Sequence, residues 1–255
     1  MVYMSTHLYF TDAHAHHKHN NERALALGEL IHEVRPDVVI DGGDTADLPS
    51  LASYDKGTRA AVGRTYKQDI DAHNDFQDRL WSRARKSKRK LPRRVRLIGN
   101  HEQRIDRALD ANPQLAGSIG YGDLQLDRYY DDIVYYEGNT PGTIQIDGVT
   151  YAHYFTAGLM GRPVGGEHPG YSLISKKHSS CSQGHSHMMD FCIRNDNSGK
   201  SIIGLVAPCF IDYEVDWAGQ IQKMWTNGVI IKRNVDEGRY SMSFITMEEI
   251  KRQYA

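Results

Sequence analysis

Short apolar runs alternate with amphipathic stretches along the first part of the chain, and this pattern predicts a βαβ opening. "THLYFTDAH" reads as a short strand, His7 to Thr11, running into a polar loop. In "ERALALGELIHEVRP", Leu27, Leu30, Ile31 and Val34 fall at i, i+3, i+4 and i+7, one apolar stripe along a helix. Asn20 or Asn21 can cap its start, and Pro36 stops it. "DVVIDGGD" is an unbroken apolar run ended by glycines, the pattern of a parallel strand buried on both faces.

Further along, residues 55–90 form a polar stretch that is expected to be mostly helical. "RVRLIGN" reads as a third strand and "HEQRIDRALD" as a short helix with Ile105 and Leu109 on one side. Residues 111–132 show no firm pattern. "TIQIDGVTYAHYF" alternates about Asp147-Gly148, a hairpin signal. "SIIGLVAPCFI", "GVIIKRN" and "RYSMSFITM" have the look of later strands. With no repeat and no linker, one α/β domain over residues 1–255 is expected.

Composition narrows the function classes. With 31 basic and 32 acidic residues, global charge points to neither a nucleic acid nor a membrane. Three cysteines, Cys181, Cys192 and Cys209, form no CxxC pair, which fits a reducing cytoplasmic setting and small apolar packing roles. No run is long and apolar enough to span a bilayer or act as a signal peptide. Nine of the fourteen residues 83–96 are Lys or Arg. The run reads first as the solvated end of a helix and second as a phosphate-backbone contact. Because it leads into "LIGNHE", it is expected near the active-site edge, which keeps a nuclease in view.

The unusual count is thirteen histidines. Several stand, with carboxylates, where strands end: Asp12 and His14 after the first, Asp44 after the second, Asn100 and His101 after the third, His153 after the hairpin, then His185 and His187 in "GHSH". Catalytic groups of α/β folds gather at such ends. Nitrogen and oxygen donors without thiolate suit Mn²⁺, Fe or Zn²⁺. Seven donors (all but His101) are too many for one open metal site and about right for two ions sharing a carboxylate, the usual clamp for phosphate esters. His16, His17 and His19 extend "DAHAHHKH" and are expected to face solvent. The glycine-rich stretch 156–172 is either a loop over the site, offering Arg162 to a phosphate, or a plain connection.

In order, "DAH", "GGD", "GNHE", a lone histidine and "GHSH" resemble the five signature blocks of the calcineurin-like metallophosphoesterases. The resemblance implies a two-sheet β-sandwich flanked by helices, with two divalent ions at one edge. By position it implies Asp12, His14 and His187 on one ion, Asn100, His153 and His185 on the other, and Asp44 between them. His101 would stabilise the transition state or protonate the leaving oxygen, and a metal-bridging hydroxide would attack the phosphomono- or phosphodiester. His153 departs from the family pattern in preceding Tyr154 rather than glycine, leaving His168 and His178 as spare candidates. Asp47 and Glu102 are expected to orient the ligands. Two other readings remain: a nuclease acting on DNA or RNA through residues 83–96, and a non-catalytic scaffold.

Overall fold

The computed structural model describes residues 4–254. In chain order the first half contains β1 (Ser5–Phe10), α1 (Glu22–Val34), β2 (Val38–Asp41), α2 (Tyr66–Lys86), β3 (Arg93–Leu97), α3 (Arg104–Ala111), α4 (Leu126–Tyr129) and β4 (Asp132–Val134). The second half contains β5 (Ile144–Ile146), β6 (Val149–Tyr151), β7 (Thr156–Ala157), β8 (Arg162–Pro163), α5 (Pro169–Lys177), β9 (Cys181–Gln183), β10 (Asp190–Asn195), β11 (Ser201–Val206), β12 (Gly228–Asp236), β13 (Arg239–Thr246) and α6 (Met247–Tyr254).

These strands make two large sheets, ordered β13-β12-β1-β2-β3-β4 and β10-β11-β9-β6-β5. Strands β1 to β4 run parallel, as do β6, β9 and β11. Side-chain alternation explains the layering, because successive strand residues point to opposite faces. Tyr9, Ile40, Val95 and Ile230 face inward onto Ile146, Val149, Tyr151 and Leu205 of the other sheet. Their neighbours Leu8, Phe10, Val39 and Ile231 face outward onto Leu27 and Ile31 of α1, Phe76 and Leu80 of α2, and Ile250 of α6. The second sheet covers its own outer face with Leu173 of α5 against Cys181 and Val206. The result is the expected sandwich of two sheets between helices. Each fully buried large apolar side chain contributes roughly 1.5–3 kcal/mol.

Several local expectations shift. The first strand starts two residues earlier and ends one earlier than its apolar run suggested. Residues 49–61 hold short 3-10 turns, and the long helix begins only at Tyr66, where the Thr65 hydroxyl accepts from Gln68 N. At α1, Asn20 Oδ1 accepts from Glu22 N, whereas the Asn21 side chain turns to Ala72 O and Asp75. Asp147 and Gly148, both at positive φ, make the tight turn between β5 and β6. Short β4 and β9, the half-exposed β10 and helices α5 and α6 carried too little periodicity to be read. Cys181 and Cys209 are buried and Cys192 half-buried, and all three are free thiols.

Lys232 of β12 lies fully buried in the layer between the sheets. Its Nζ donates to Ser182 Oγ at 2.6 Å and Tyr151 Oη at 3.1 Å. Burial pushes its pKa well below the ordinary 10.5. The unfolded chain therefore binds a proton that the folded chain excludes, so this group favours folding above 10.5 and opposes it increasingly as pH falls toward the depressed value. Lys232→Met is expected to raise the urea midpoint at neutral pH. The gain should shrink as pH approaches 10.5, as followed by denaturation across pH.

Candidate metal centre

The parallel strands of both sheets deliver their carboxyl ends to one edge. Asp12 and His14 follow β1, Asp44 follows β2, and Asn100 and His101 follow β3; His153 follows β6, and His185 and His187 follow β9. His14 and His187, 173 positions apart in sequence, thus become neighbours. All seven candidate ligands and His101 gather here, and His153 takes its place among them. His168 and His178 bracket α5 instead, and Arg162 is exposed on β8, the second strand of a small hairpin.

The donor atoms fall into two groups. Asp12 Oδ1, His14 Nε2 and His187 Nε2 form the first, with separations of 3.9, 3.4 and 3.2 Å. In the second, His153 Nε2 lies 3.0 Å from Asn100 Oδ1 and 3.3 Å from Asp44 Oδ2, and His185 stands close by. Partners on the far side of each ring decide what these atoms can do. His14 Nδ1 lies 3.0 Å from Asp47 Oδ1, and His153 Nδ1 lies 2.9 Å from the Gly42 carbonyl. Those acceptors place each ring's proton on Nδ1 and leave the Nε2 lone pair aimed into the site. Asp12 Oδ1 is fully buried and has no hydrogen-bond partner. Lone pairs facing lone pairs, with an orphaned carboxylate oxygen among them, repel unless a cation or proton lies between. The residues present therefore fit divalent metal ions.

The charges bear this out. Burial would raise the Asp44 pKa, but His153, His101 and His14 around it hold it well below the usual carboxylate range. Burial opposes charge on His153, yet Asp44 and Asp12 push its pKa up to about 9. Without metal, a proton on His153 supplies the positive charge that the carboxylates demand. Burial, reinforced by His153, pushes His185 down to about 4, so it stays neutral with a free lone pair.

Backbone geometry is specialised at the same place. Asp12, His14, Asp44, His185 and His187 all have φ between 45° and 69°. Such conformations cost side-chain-bearing residues about 1–3 kcal/mol each and persist where surrounding contacts impose them. Two glycines make room: a Cβ on Gly99 would lie 2.1 Å from Asp44 Oδ1, and one on Gly184 would lie 2.4 Å from Asp12 Oδ2. That explains why "GN" and "GH" precede the ligands.

Of the supporting residues, Asp47 and Glu102 were expected from the sequence, whereas Arg96, Arg104, Tyr213 and Trp225 gave no sequence signal. Glu102 accepts from the backbone N–H groups of Asp44 and Gly99, both at 2.9 Å, and of Ala46 at 2.8 Å. Behind it Arg96, fully buried, grips Glu102 and Asp41 together. Asp47 Oδ1 touches both His14 Nδ1 and His101 Nδ1, at 3.0 and 3.1 Å. Arg104, one helical turn beyond His101, places Nη2 3.0 Å from His101 Nε2. The Tyr213 hydroxyl donates to the His14 carbonyl, and Trp225 packs edge-on against His187 at 4.2 Å.

One expectation is corrected. His16, His17 and His19 are half-buried rather than solvent-facing, because His16 stacks on His17 and His19 stacks on Tyr213. The basic run covers the end of α2 and most of β3, and its last residue, Arg96, lies beneath the site, paired with Asp41 and Glu102. Within it, Arg83, Arg85, Arg93, Arg94 and Arg96 already pair with carboxylates.

No family model and no curated protein matches the chain. Among solved structures it is similar to a conserved uncharacterized protein, a predicted phosphoesterase, from Streptococcus pneumoniae. Identity is 12%, over 97% of this chain and 92% of that one, with a TM-score of 0.39. It is also similar to Yfce, a phosphoesterase from E. coli, at 12% identity over 95% of this chain and 99% of that one, with a TM-score of 0.41. Likeness at this level leaves the function to be argued from the chain's own geometry.

Asp47→Ala frees the His14 ring, and a ligand's outer partner is typically worth about 10–100-fold in metal affinity. Calorimetric titration with Mn²⁺ should show a weakening of that size. Glu102→Ala leaves Arg96 half-paired and three N–H groups unmet, and should lower stability by about 3–5 kcal/mol in urea unfolding.

Proposed function

We propose that the chain is a metal-dependent phosphoesterase, hydrolysing phosphomono- or phosphodiester bonds at a dinuclear centre of the calcineurin-like type. The observation that carries this reading is the pair of acceptor groups converging from both sheets, Asp12 with His14 and His187, and Asp44 with His153 and His185. Asp12, His14 and His187 would hold one divalent ion, Asn100, His153 and His185 the other, and Asp44 would be shared. When bound, two such ions supply charge neutralisation for the phosphoryl oxygens and a water acidic enough to attack phosphorus near neutral pH.

The chain's own residues do the rest. His101 Nδ1 lies 2.7 Å from the Asp47 carbonyl, which fixes its proton there. Its Nε2 accepts from Arg104 at 3.0 Å, because a guanidinium only donates. To pass a proton to a leaving oxygen, Nε2 must gain one and Arg104 Nη2 must let go, while Arg104 Nη1 keeps its bond to the Asp47 carbonyl at 2.8 Å. Asp47 holds the ring in line throughout. Among the described residues, the gathered donors include no thiol.

Two other readings are weaker. Nuclease action through residues 83–96 draws little support, because five of the run's nine cations are paired with carboxylates. A binding scaffold has no evident use for a full set of convergent ligands. No helix among the described residues is long and apolar enough to cross a membrane.

The test is turnover of an aryl phosphomonoester and the matching diester with Mn²⁺ and with chelator. Chelator should abolish hydrolysis. His101→Ala should lower kcat by about 10²–10⁴-fold, the usual worth of a general acid. Folded, Mn²⁺-loaded protein that turns over neither ester would reject the proposal.

A further inference from the structure

The second sheet ends on an open strand. β10 pairs with β11 through six consecutive residues without a bulge, and among the described residues no strand pairs with its other side. Such edges are normally blunted by shortness, a proline or a bulge, because their free N–H and C=O groups accept another strand. The edge strands β4 and β5 are short, with three residues each. β10 has none of these protections.

Hydrogen-bond direction shows which of its groups are free. In β11, Ile203 N donates to Ser180 Oγ, just before β9, and Ala207 N, just after β11, donates to Gln183 O of β9. The odd-numbered residues of β11 therefore turn to β9. Ile202, Gly204 and Val206 turn to β10, where they face Arg194, Cys192 and Asp190. Phe191 and Ile193 are left with their backbone groups pointing outward, and the Ile193 carbonyl accepts from the Arg194 guanidinium at 2.8 Å in place of a strand.

Side chains alternate in the same way. Phe191 stands opposite Leu205, a residue of the apolar layer between the sheets. The last strand of the facing sheet, β13, lies against β11, so β10 overhangs it. Phe191 and Ile193 are consequently 49% and 47% exposed. Asp190, Cys192 and Arg194 point to the other face, beside α5. There Asp190 Oδ2 accepts from Gly170 N at 2.8 Å, and the Arg194 guanidinium lies 5.8 Å from the Tyr171 ring.

We propose that β10 pairs with β10 of a second copy of this chain, antiparallel about Cys192, so that the two five-stranded sheets join across a two-fold axis. In that register the order Asp-Phe-Cys-Ile-Arg complements itself. Asp190 meets Arg194 of the partner subunit, Phe191 meets Ile193 of the partner subunit, and Cys192 meets the partner's Cys192. The outward groups of Phe191 and Ile193 fall in the hydrogen-bonded pairs. The charges and thiols fall in the closer pairs between them, with Cα atoms about 4.5 Å apart. Opposite charges and apolar side chains set across from each other both favour pairing. A foreign strand could satisfy the backbone, but this one also matches its own charges and apolar residues, as an isologous interface requires. The pairing is independent of the hydrolytic reading.

Sedimentation of the full chain at micromolar concentration should give twice the chain mass. Arg194→Asp sets two carboxylates opposite each other, and Asp190→Arg sets two guanidiniums. Each reversal acts twice by symmetry and should weaken dimerisation by on the order of tenfold. Mixing the two variants should restore the dimer, because each chain then presents the charge that the other lacks. Diamide, taking one hydrogen from each thiol, should link two chains through Cys192, since about 4.5 Å between Cα atoms lies within disulfide range. Cys192→Ser should prevent the link, because Cys181 and Cys209 are buried. A chain that sediments as a monomer overturns the proposal. A dimer that neither reversal weakens and diamide does not link uses another face, which also overturns it. Weakening that mixing fails to rescue would mean damage to the strand rather than loss of the charge pair, and counts against it.

Discussion

The candidate site depends on one buried guanidinium. Arg96, fully enclosed at the end of β3, bridges Asp41 at the end of β2 and Glu102 beyond β3. Burial opposes its charge, but Asp41 and Glu102 hold its pKa far above the ordinary value, so it stays a cation. Tyr130 and Thr45 complete the cluster around Asp41. Glu102, fixed in this way, collects the backbone N–H groups of Asp44, Ala46 and Gly99. Two loops that carry the ligand-type residues Asp44 and Asn100, together with His101, are thereby locked to each other from beneath. Buried ion pairs gain little stability on balance. Here the return is geometric: the carboxylate of Asp44 and the amide of Asn100 point to one place.

That rigidity has to withstand opposition. The site concentrates acceptor atoms that repel one another and ligand residues held at positive φ. Both effects work against folding, and the sandwich must offset them. Its two apolar layers run to the site edge, so the strands that end there are fixed along their length by packing on both faces. The ligand loops are short, which leaves little freedom for the unfavourable conformations to relax.

Charge is distributed with the same separation of tasks. The acceptor-rich centre lies at the carboxyl ends of the parallel strands, and residues 83–94 lie at the end of α2 and the start of β3, where Arg85, Arg93 and Arg94 meet nearby carboxylates. Aromatic rings brace the ligands: Trp225 packs against His187, and the Tyr213 hydroxyl holds the His14 carbonyl.

The sequence by itself carried the chemistry of the site. Asp12, His14, Asp44, Asn100, His101 and His153 stood at strand ends recognisable from apolar runs, because a strand's period and its glycine stop are local properties, and His185 and His187 were marked by their own "GHSH" pattern. The stripe of α1 and the Asp147-Gly148 turn were legible for the same reason. What was local but weak, such as the three-residue β9 or the half-exposed β10, was lost, since short or one-sided elements bury too little to mark a pattern. Tertiary structure alone decided which groups meet. The orientation of each histidine is set by distant partners, Asp47 for His14 and Gly42 for His153. Proximity in sequence put the basic run near "GNHE", but the fold keeps only its last residue, Arg96, against Glu102 and turns Arg93 and Arg94 to Asp132 and Asp131. Arg96 and Arg104 looked like two more cations in a charged stretch, and only burial separates them from the rest. Residue type is written in the chain, but direction, protonation and neighbourhood arise from packing two sheets face to face.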